Sequence, residues 1–217
     1  MSATTPVYAA PAPAKGYEST SFAEALRTRR TIYALSDESP IPNERIVEIV
    51  KEVVKHAPSS FNSQSTRAIV VFGDKHKLVW DAAKSALKAI LPAEAYPASE
   101  QRLNGFQAGT GTVLLYEDQS VVKGLQEKLP TYSALFPLWS EHTHGIHAFA
   151  IWTALELEGL GANLQHYSNL IEKDLAKEFD VPESWQLTAQ LVFGKPLAPA
   201  GEKTFQPLEN RVKVFGA

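Results

Sequence analysis

Cysteine is absent from the 217 residues, which excludes disulfides, thiol nucleophiles and thiolate metal ligands and agrees with a reducing compartment, the cytoplasm being the expected one. Missing too is any apolar run long enough to span a bilayer. Charge of one sign is not in excess. Against 21 basic residues stand 24 acidic ones, the net charge is -3, and neither sign forms a long block. Nucleic acid and anionic membrane are therefore disfavoured as main partners. The chain lacks a GxSxG elbow, a P-loop, a paired-carboxylate motif and an internal repeat. Its glycine pairs, Gly109/Gly111 and Gly159/Gly161, lack the third glycine and the strand-turn-helix setting of a dinucleotide fingerprint, so each reads as a turn. A protein without its own nucleophile or metal can borrow chemistry from a cofactor.

What is present suits one domain with a substantial core. Met1 to Lys15, rich in Ala, Pro and Thr, has neither the basic start nor the apolar run of a signal peptide, and the expectation is a flexible tail over residues 1–16 and one domain over 17–217. Ser21 with Glu24 forms a capping box that opens a helix ending near Arg29. Ile46, Ile49, Val50, Val53, Val54 and Ala57 recur at helical spacing and predict a helix over 43–56. Further helices are expected over 75–91, stopped by Pro92, over 142–158 as the buried central helix, and over 169–179. Strands are expected over 68–72, 112–116 and 187–193. The terminal run RVKVF, residues 211–215, is strand-like and needs a sheet edge, on this subunit or another. Helices outnumber strands and do not alternate with them singly, which favours an α+β fold over a doubly wound sheet.

Three constellations carry the candidate chemistry. Arg29, Arg30 and Thr31 place two guanidiniums and a hydroxyl together, as a clamp for a phosphate dianion requires; the macrodipole alone also favours arginines at a helix C-terminus. The loop APSSFNSQ, 57–64, presents Ser59, Ser60, Asn62 and Gln64 from between a helix and a strand, as a flat, polar-edged ligand would use them. The same residues can serve as an ordinary connection that satisfies backbone groups. The run HTHGIH brings His142, His144 and His147 together, but no Asp, Glu or Cys stands at ligand spacing, and a polar helix start accounts for it better than a metal. His166, beyond Gly159-Leu160-Gly161-Ala162, either faces a cleft or caps a turn.

RRTIYAL at 29–35, APSSFNSQ at 57–64, GLGANLQHY at 159–167 and FGKP at 193–196, in this order and spacing, resemble the FMN-dependent nitroreductases. The resemblance extends over about 17–216. It is strongest to the short, nitroreductase-like branch of fungi and bacteria, sometimes called fatty acid repression mutant proteins. It implies an α+β sandwich with a central mixed or antiparallel sheet flanked by helices. It further implies a homodimer with FMN at the subunit interface and the C-terminal strand exchanged between protomers. By matching position, Arg29 and Thr31 would grip the FMN phosphate with Arg30 alongside and Lys203 completing the site. Pro58, Ser59, Ser60, Asn62 and Gln64 would come from the other protomer to line the flavin and ribityl chain. Gln165 and His166 would bring backbone groups near flavin N5.

This chain departs from the family pattern at three places. Tyr33 stands where many relatives carry the cationic partner of flavin N1 and O2, and Phe205 replaces a second basic residue of the tail, for which Arg211 is the candidate substitute. Ser65-Thr66 replaces a Pro-Trp pair. The resemblance implies ping-pong hydride transfer from NADH or NADPH through FMN to a nitroaromatic or quinone, with no side chain needed as acid or base. The competing expectation is a flavin-binding stress or regulatory protein, linked to lipid signalling, whose turnover is incidental. A third is a dimer that has lost its cofactor, for which the changes at Tyr33 and Phe205 speak.

Overall fold

The computed structural model describes residues 16–216. The tail expected over 1–16 therefore lies, apart from Gly16, outside the described residues. Helix α1, Phe22–Thr28, starts as the capping box requires, with the Glu24 N–H donating to Ser21 Oγ at 3.3 Å. Helix α2, Asn43–His56, buries Ile46, Ile49, Val50 and Val53, the stripe read from its periodicity. Then come β1 (Leu35–Ser36, between those two helices), β2 (Thr66–Phe72), α3 (Gly73–Ile90), α4 (Tyr96–Gln107), β3 (Gly111–Asp118) and α5 (Gln119–Lys128). The chain continues through α6 (Phe136–Leu157), β4 (Gly161–Gln165), α7 (Ser168–Glu178) and β5 (Trp185–Pro196). No described helix is long and apolar enough to cross a membrane.

The sheet runs β1-β5-β3-β2, with β4 pairing β5 beside β1, and all strand pairs are antiparallel. Alternation along β3 divides the core in two. Val113 and Leu115 pack toward α2 and α6, together with Ile151, Leu155, Leu191 and Phe193. Leu114 and Tyr116 pack toward α3, α4 and α7, with Trp80, Phe106, Ile171 and Leu187. Helices thus cover both faces of an antiparallel sheet, the α+β sandwich expected from the sequence.

Several elements differ from expectation. Helices α4 and α5 form where none was predicted. The central helix begins at Phe136, not near 142, so the histidines lie along it instead of opening it. Gly159, at φ +89°, does make the turn expected of it, but Gly161 already belongs to β4. A Cβ on Gly161 would stand 2.9 Å from Ile32 Cγ2 and Leu35 Cδ2, so glycine is what lets the segment after α1 lie against β4. Among the described residues RVKVF pairs with no strand. A turn of 3-10 helix at Leu208–Asn210 leads into an exposed, irregular segment, because a strand with no neighbour has no ladder bonds to hold it.

Candidate functional site

The segment after α1 is fixed by β4 and by the end of α6. Thr31 makes a parallel bridge with Ala162, the Ile32 N–H donates to Ala162 O at 2.9 Å, and Asn163 Nδ2 donates to Ile32 O at 2.8 Å. Arg29 lies over the Trp152 ring, its guanidinium carbon 4.4 Å from the centroid. Its Nη1 is buried and has no hydrogen-bond partner among the described residues. An unpaired guanidinium nitrogen shut from water is costly, and a hydrogen-bond acceptor removes the cost, a charged one making the stronger bond. Arg30 is held at both ends. Its N–H donates to Glu156 Oε2 at 2.7 Å, and its Nη2 donates to Gly201 O, which brings the tail to the clamp two residues ahead of Lys203.

Glu156 escaped the sequence reading. Its Oε1 accepts the Trp152 Nε1–H at 2.9 Å, an i, i+4 pair that tightens the last turns of α6. Burial pushes its carboxyl up to about 7, against the opposing pull of the Arg30 N–H, the Trp152 indole, the Arg29 charge and the Ala162 backbone. The sequence signal available was the Trp-x-x-x-Glu spacing on a buried helix just ahead of the GLGAN turn.

The polar loop is a strained, well-anchored structure. Phe61, Asn62 and Gln64 have φ of 54°, 51° and 51° without being glycine, a conformation that survives where the surroundings over-determine it. Ser59 Oγ accepts the Gln64 N–H at 2.9 Å. Phe61 packs on Tyr132, Phe136 and Trp139 with centroids 6.0, 5.6 and 5.9 Å away. Below the loop lies Glu117, fully buried, which the sequence reading also passed over. It accepts from Ser65 Oγ and Thr66 Oγ1, both at 2.5 Å, and from Ser140 Oγ at 2.7 Å. Ser65 and Thr66 thus form the loop's attachment to the sheet and to α6. Pro58, Asn62 and Gln64 are exposed, and Ser59 and Ser60 half-buried.

One chain does not bring clamp and loop together. Phe61 sits at Trp139 and Arg29 at Trp152, 13 residues further along α6, which at 1.5 Å per residue is about 20 Å. Gln165, half-buried at the end of β4, donates through Nε2 to Asn163 Oδ1 at 2.8 Å, and His166 beside it is exposed. Tyr33 is exposed, with its ring 6.5 Å from that of Phe106. Lys203 and Arg211 lie on the exposed tail, the Lys203 ammonium 5.2 Å from the Phe205 ring.

Among the described residues no group of three or more potential metal ligands gathers, at the histidine run or elsewhere. His144 and His147 are buried. His144 Nδ1 meets Thr188 Oγ1 at 3.0 Å, and His147 Nδ1 donates to Thr143 O at 2.9 Å. Burial, with the nearby His166 and His147, holds His144 down at about 4.

The structure is an α+β sandwich with a buried guanidinium nitrogen that lacks a partner among the described residues, and with a rigid polar loop. The chain belongs to the nitroreductase family, whose model matches residues 26–195, and with it to the oxidoreductases. It is 39% identical to the nitroreductase FRM2 of Saccharomyces cerevisiae over 196 residues, 89% of this chain and 96% of that protein. It resembles the nitroreductase CinD of Lactococcus lactis, solved in complex with chloramphenicol, at 46% identity and a TM-score of 0.83, covering 90% of this chain and all of the other. A nitroreductase of Desulfitobacterium hafniense solved with bound FMN shares the fold, with a TM-score of 0.65 at 16% identity over 89% of this chain and 97% of that one.

Proposed function

We infer that the chain is an FMN-dependent oxidoreductase of the cytoplasm that takes reducing equivalents from NADH or NADPH and delivers them to nitroaromatic or quinone acceptors. The observation that carries this reading is the buried Nη1 of Arg29, without a partner among the described residues, in a side chain held on Trp152 beside Arg30 and Thr31. FMN, when bound, would supply the hydride chemistry. Arg29 and Thr31 would hold its phosphate, with Arg30 locked by Glu156 and with Lys203 brought close through Gly201. Gln165 and His166 would offer backbone groups to the ring, while Tyr33 stands in place of a cation and Arg211 in place of the basic residue lost at Phe205. The nitro compounds named in the CinD complexes, chloramphenicol and 4-nitrophenol, support the acceptor class.

The separation of clamp and loop along α6 supports a homodimer. In it, Pro58, Ser59, Ser60, Asn62 and Gln64 of one protomer would line the flavin held by the clamp of the other. Strand β2 ends the sheet, and beside it a groove of about 510 Å³ runs under α2, lined by Val50, Val54, Ala68 and Val70 with Lys51 and Arg67 at its rim. This groove is where an exchanged 211–215 segment would find its edge. Residues 17–217 would then act as one FMN-binding domain that is complete as a dimer.

A visible spectrum of the purified protein tests the reading. Flavin absorbance, present at once or after adding FMN, should accompany oxidation of NADH or NADPH when 4-nitrophenol or a quinone is supplied. A colourless protein that takes up no FMN would overturn the assignment, and a flavinated protein with negligible turnover would overturn its enzymatic half.

A further inference from the structure

Behind the clamp sits an acid that works against it. Glu156 holds the Arg30 N–H at 2.7 Å and the Trp152 indole at 2.9 Å, and the same Trp152 carries the Arg29 guanidinium. When ionised, this carboxylate repels the very anion that Arg29 attracts. Burial already lifts its carboxyl to about 7, so the cost of ionisation is felt near neutrality. From the segment after α1, Arg29 is the charge that acts on it. From α2, Arg45 directs its guanidinium to Glu158, Glu18 and Glu48, each within 3.4 Å. From β4 it meets the Ala162 backbone, and in the tail Lys203 is exposed with its ammonium over Phe205.

We propose that Glu156 is a proton-linked counter-charge of the clamp, so that capture of the FMN phosphate by Arg29 and capture of a proton by Glu156 form one coupled event. The inference rests on the reading that Arg29 holds that phosphate. A dianion brought next to a buried carboxylate adds to the cost of its negative charge, and the carboxylate answers by taking a proton from solvent. Linkage then requires the converse, that a proton on Glu156 tightens the hold on the anion. Glu156 is in this sense a positioning residue. It orients Arg30 and Trp152 and, by its charge, sets how strongly the clamp attracts.

Calorimetric titration of the flavin-free protein with FMN at pH 7, in two buffers of different ionisation enthalpy, counts the protons exchanged. A group half-ionised before binding and neutral after it takes up on the order of half a proton per FMN. The FMN phosphate, whose second pKa is about 6, releases a small fraction of a proton that is the same for every variant. The expected result is uptake by the native protein, none beyond the phosphate's own exchange in Glu156→Gln, and none with riboflavin, which lacks the phosphate. Equal proton counts in native protein and Glu156→Gln would overturn the proposal. Should that variant not fold, counts for FMN and riboflavin on the native protein that differ only by the phosphate's own release would overturn it as well. Arg29→Ala separates the two claims. If it keeps full FMN affinity, the clamp reading itself falls; if it loses FMN while the native proton count is nil, the coupling alone falls.

Discussion

The guanidinium of Arg29 lies 4.4 Å from the centre of the Trp152 ring, and the indole N–H of that same ring points to Glu156. Trp152 therefore contacts both the Arg29 guanidinium and the Glu156 carboxyl. A cation over an indole is worth about 0.5–2 kcal/mol. Trp152→Leu should weaken FMN binding about tenfold, read by quenching of flavin fluorescence, while the far-UV spectrum stays native. Unchanged affinity would mean that Arg29 is held by other contacts.

Glu117 should prove to be what fixes the polar loop from below. It is fully buried and accepts three hydroxyl hydrogen bonds, from Ser65, Thr66 and Ser140. Glu117→Ala leaves all three donors without that acceptor, at about 1–3 kcal/mol per group left unsatisfied. A fall in unfolding free energy of about 3 kcal/mol or more is expected in urea titration, with a smaller fall for Glu117→Gln. A loss under about 1 kcal/mol would show that water or rearrangement takes over the role.

The left-handed backbone of the loop offers a separate check. Gln64, at φ 51°, pays a steric cost that glycine avoids and that asparagine bears more easily. Gln64→Gly should raise stability by a few tenths to about 1 kcal/mol, more than Asn62→Gly does. Both should lower FMN affinity, because the side chains that would meet the flavin are gone. Raised affinity in either variant would contradict the placement of the loop at the cofactor.

Stability should rise from about pH 4 toward neutrality. Burial lowers His76 and His144 to about 4 from an ordinary 6.5, so the unfolded chain binds their protons first, and stability falls as pH drops from about 6.5 toward 4. Each contributes a slope of at most about 1.4 kcal/mol per pH unit. Glu156 has the opposite sign. Its carboxyl is raised from 4.5 to about 7, so its contribution is whole below 4.5 and lost as pH climbs to about 7. Urea midpoints measured from pH 4 to 8 should show the acid limb flatten in His144→Asn and steepen in Glu156→Gln.

Periodic, amphipathic segments were legible in the sequence, and segments held by tertiary context were not. Helix α2 shows its stripe of Ile46, Ile49, Val50 and Val53 plainly, and its bounds agree with those read from the sequence. Helix α4, YPASEQRLNGFQ, carries a proline in its first turn and Gly105 inside, and buries Leu103 and Phe106 without a repeating stripe. Strand β4, GANLQ, holds a buried Asn163 whose amide serves Ile32 from another part of the chain, so its polarity disguised it. The clamp and the loop stood out as motifs because they are contiguous. Glu156 and Glu117 did not, since each matters through partners far away in sequence, Arg30 for one and Ser65 and Thr66 for the other.

The 13-residue interval between Trp139 and Trp152 also bears on how such a chain can change over generations. One residue inserted in or deleted from that interval would turn Trp152 and Glu156 about 100° around the axis relative to Phe136 and Trp139. The loop anchor and the anion clamp would then no longer both face their neighbours. Length variation among descendants should accordingly collect in the surface connections and in the exposed tail, while this interval keeps its count.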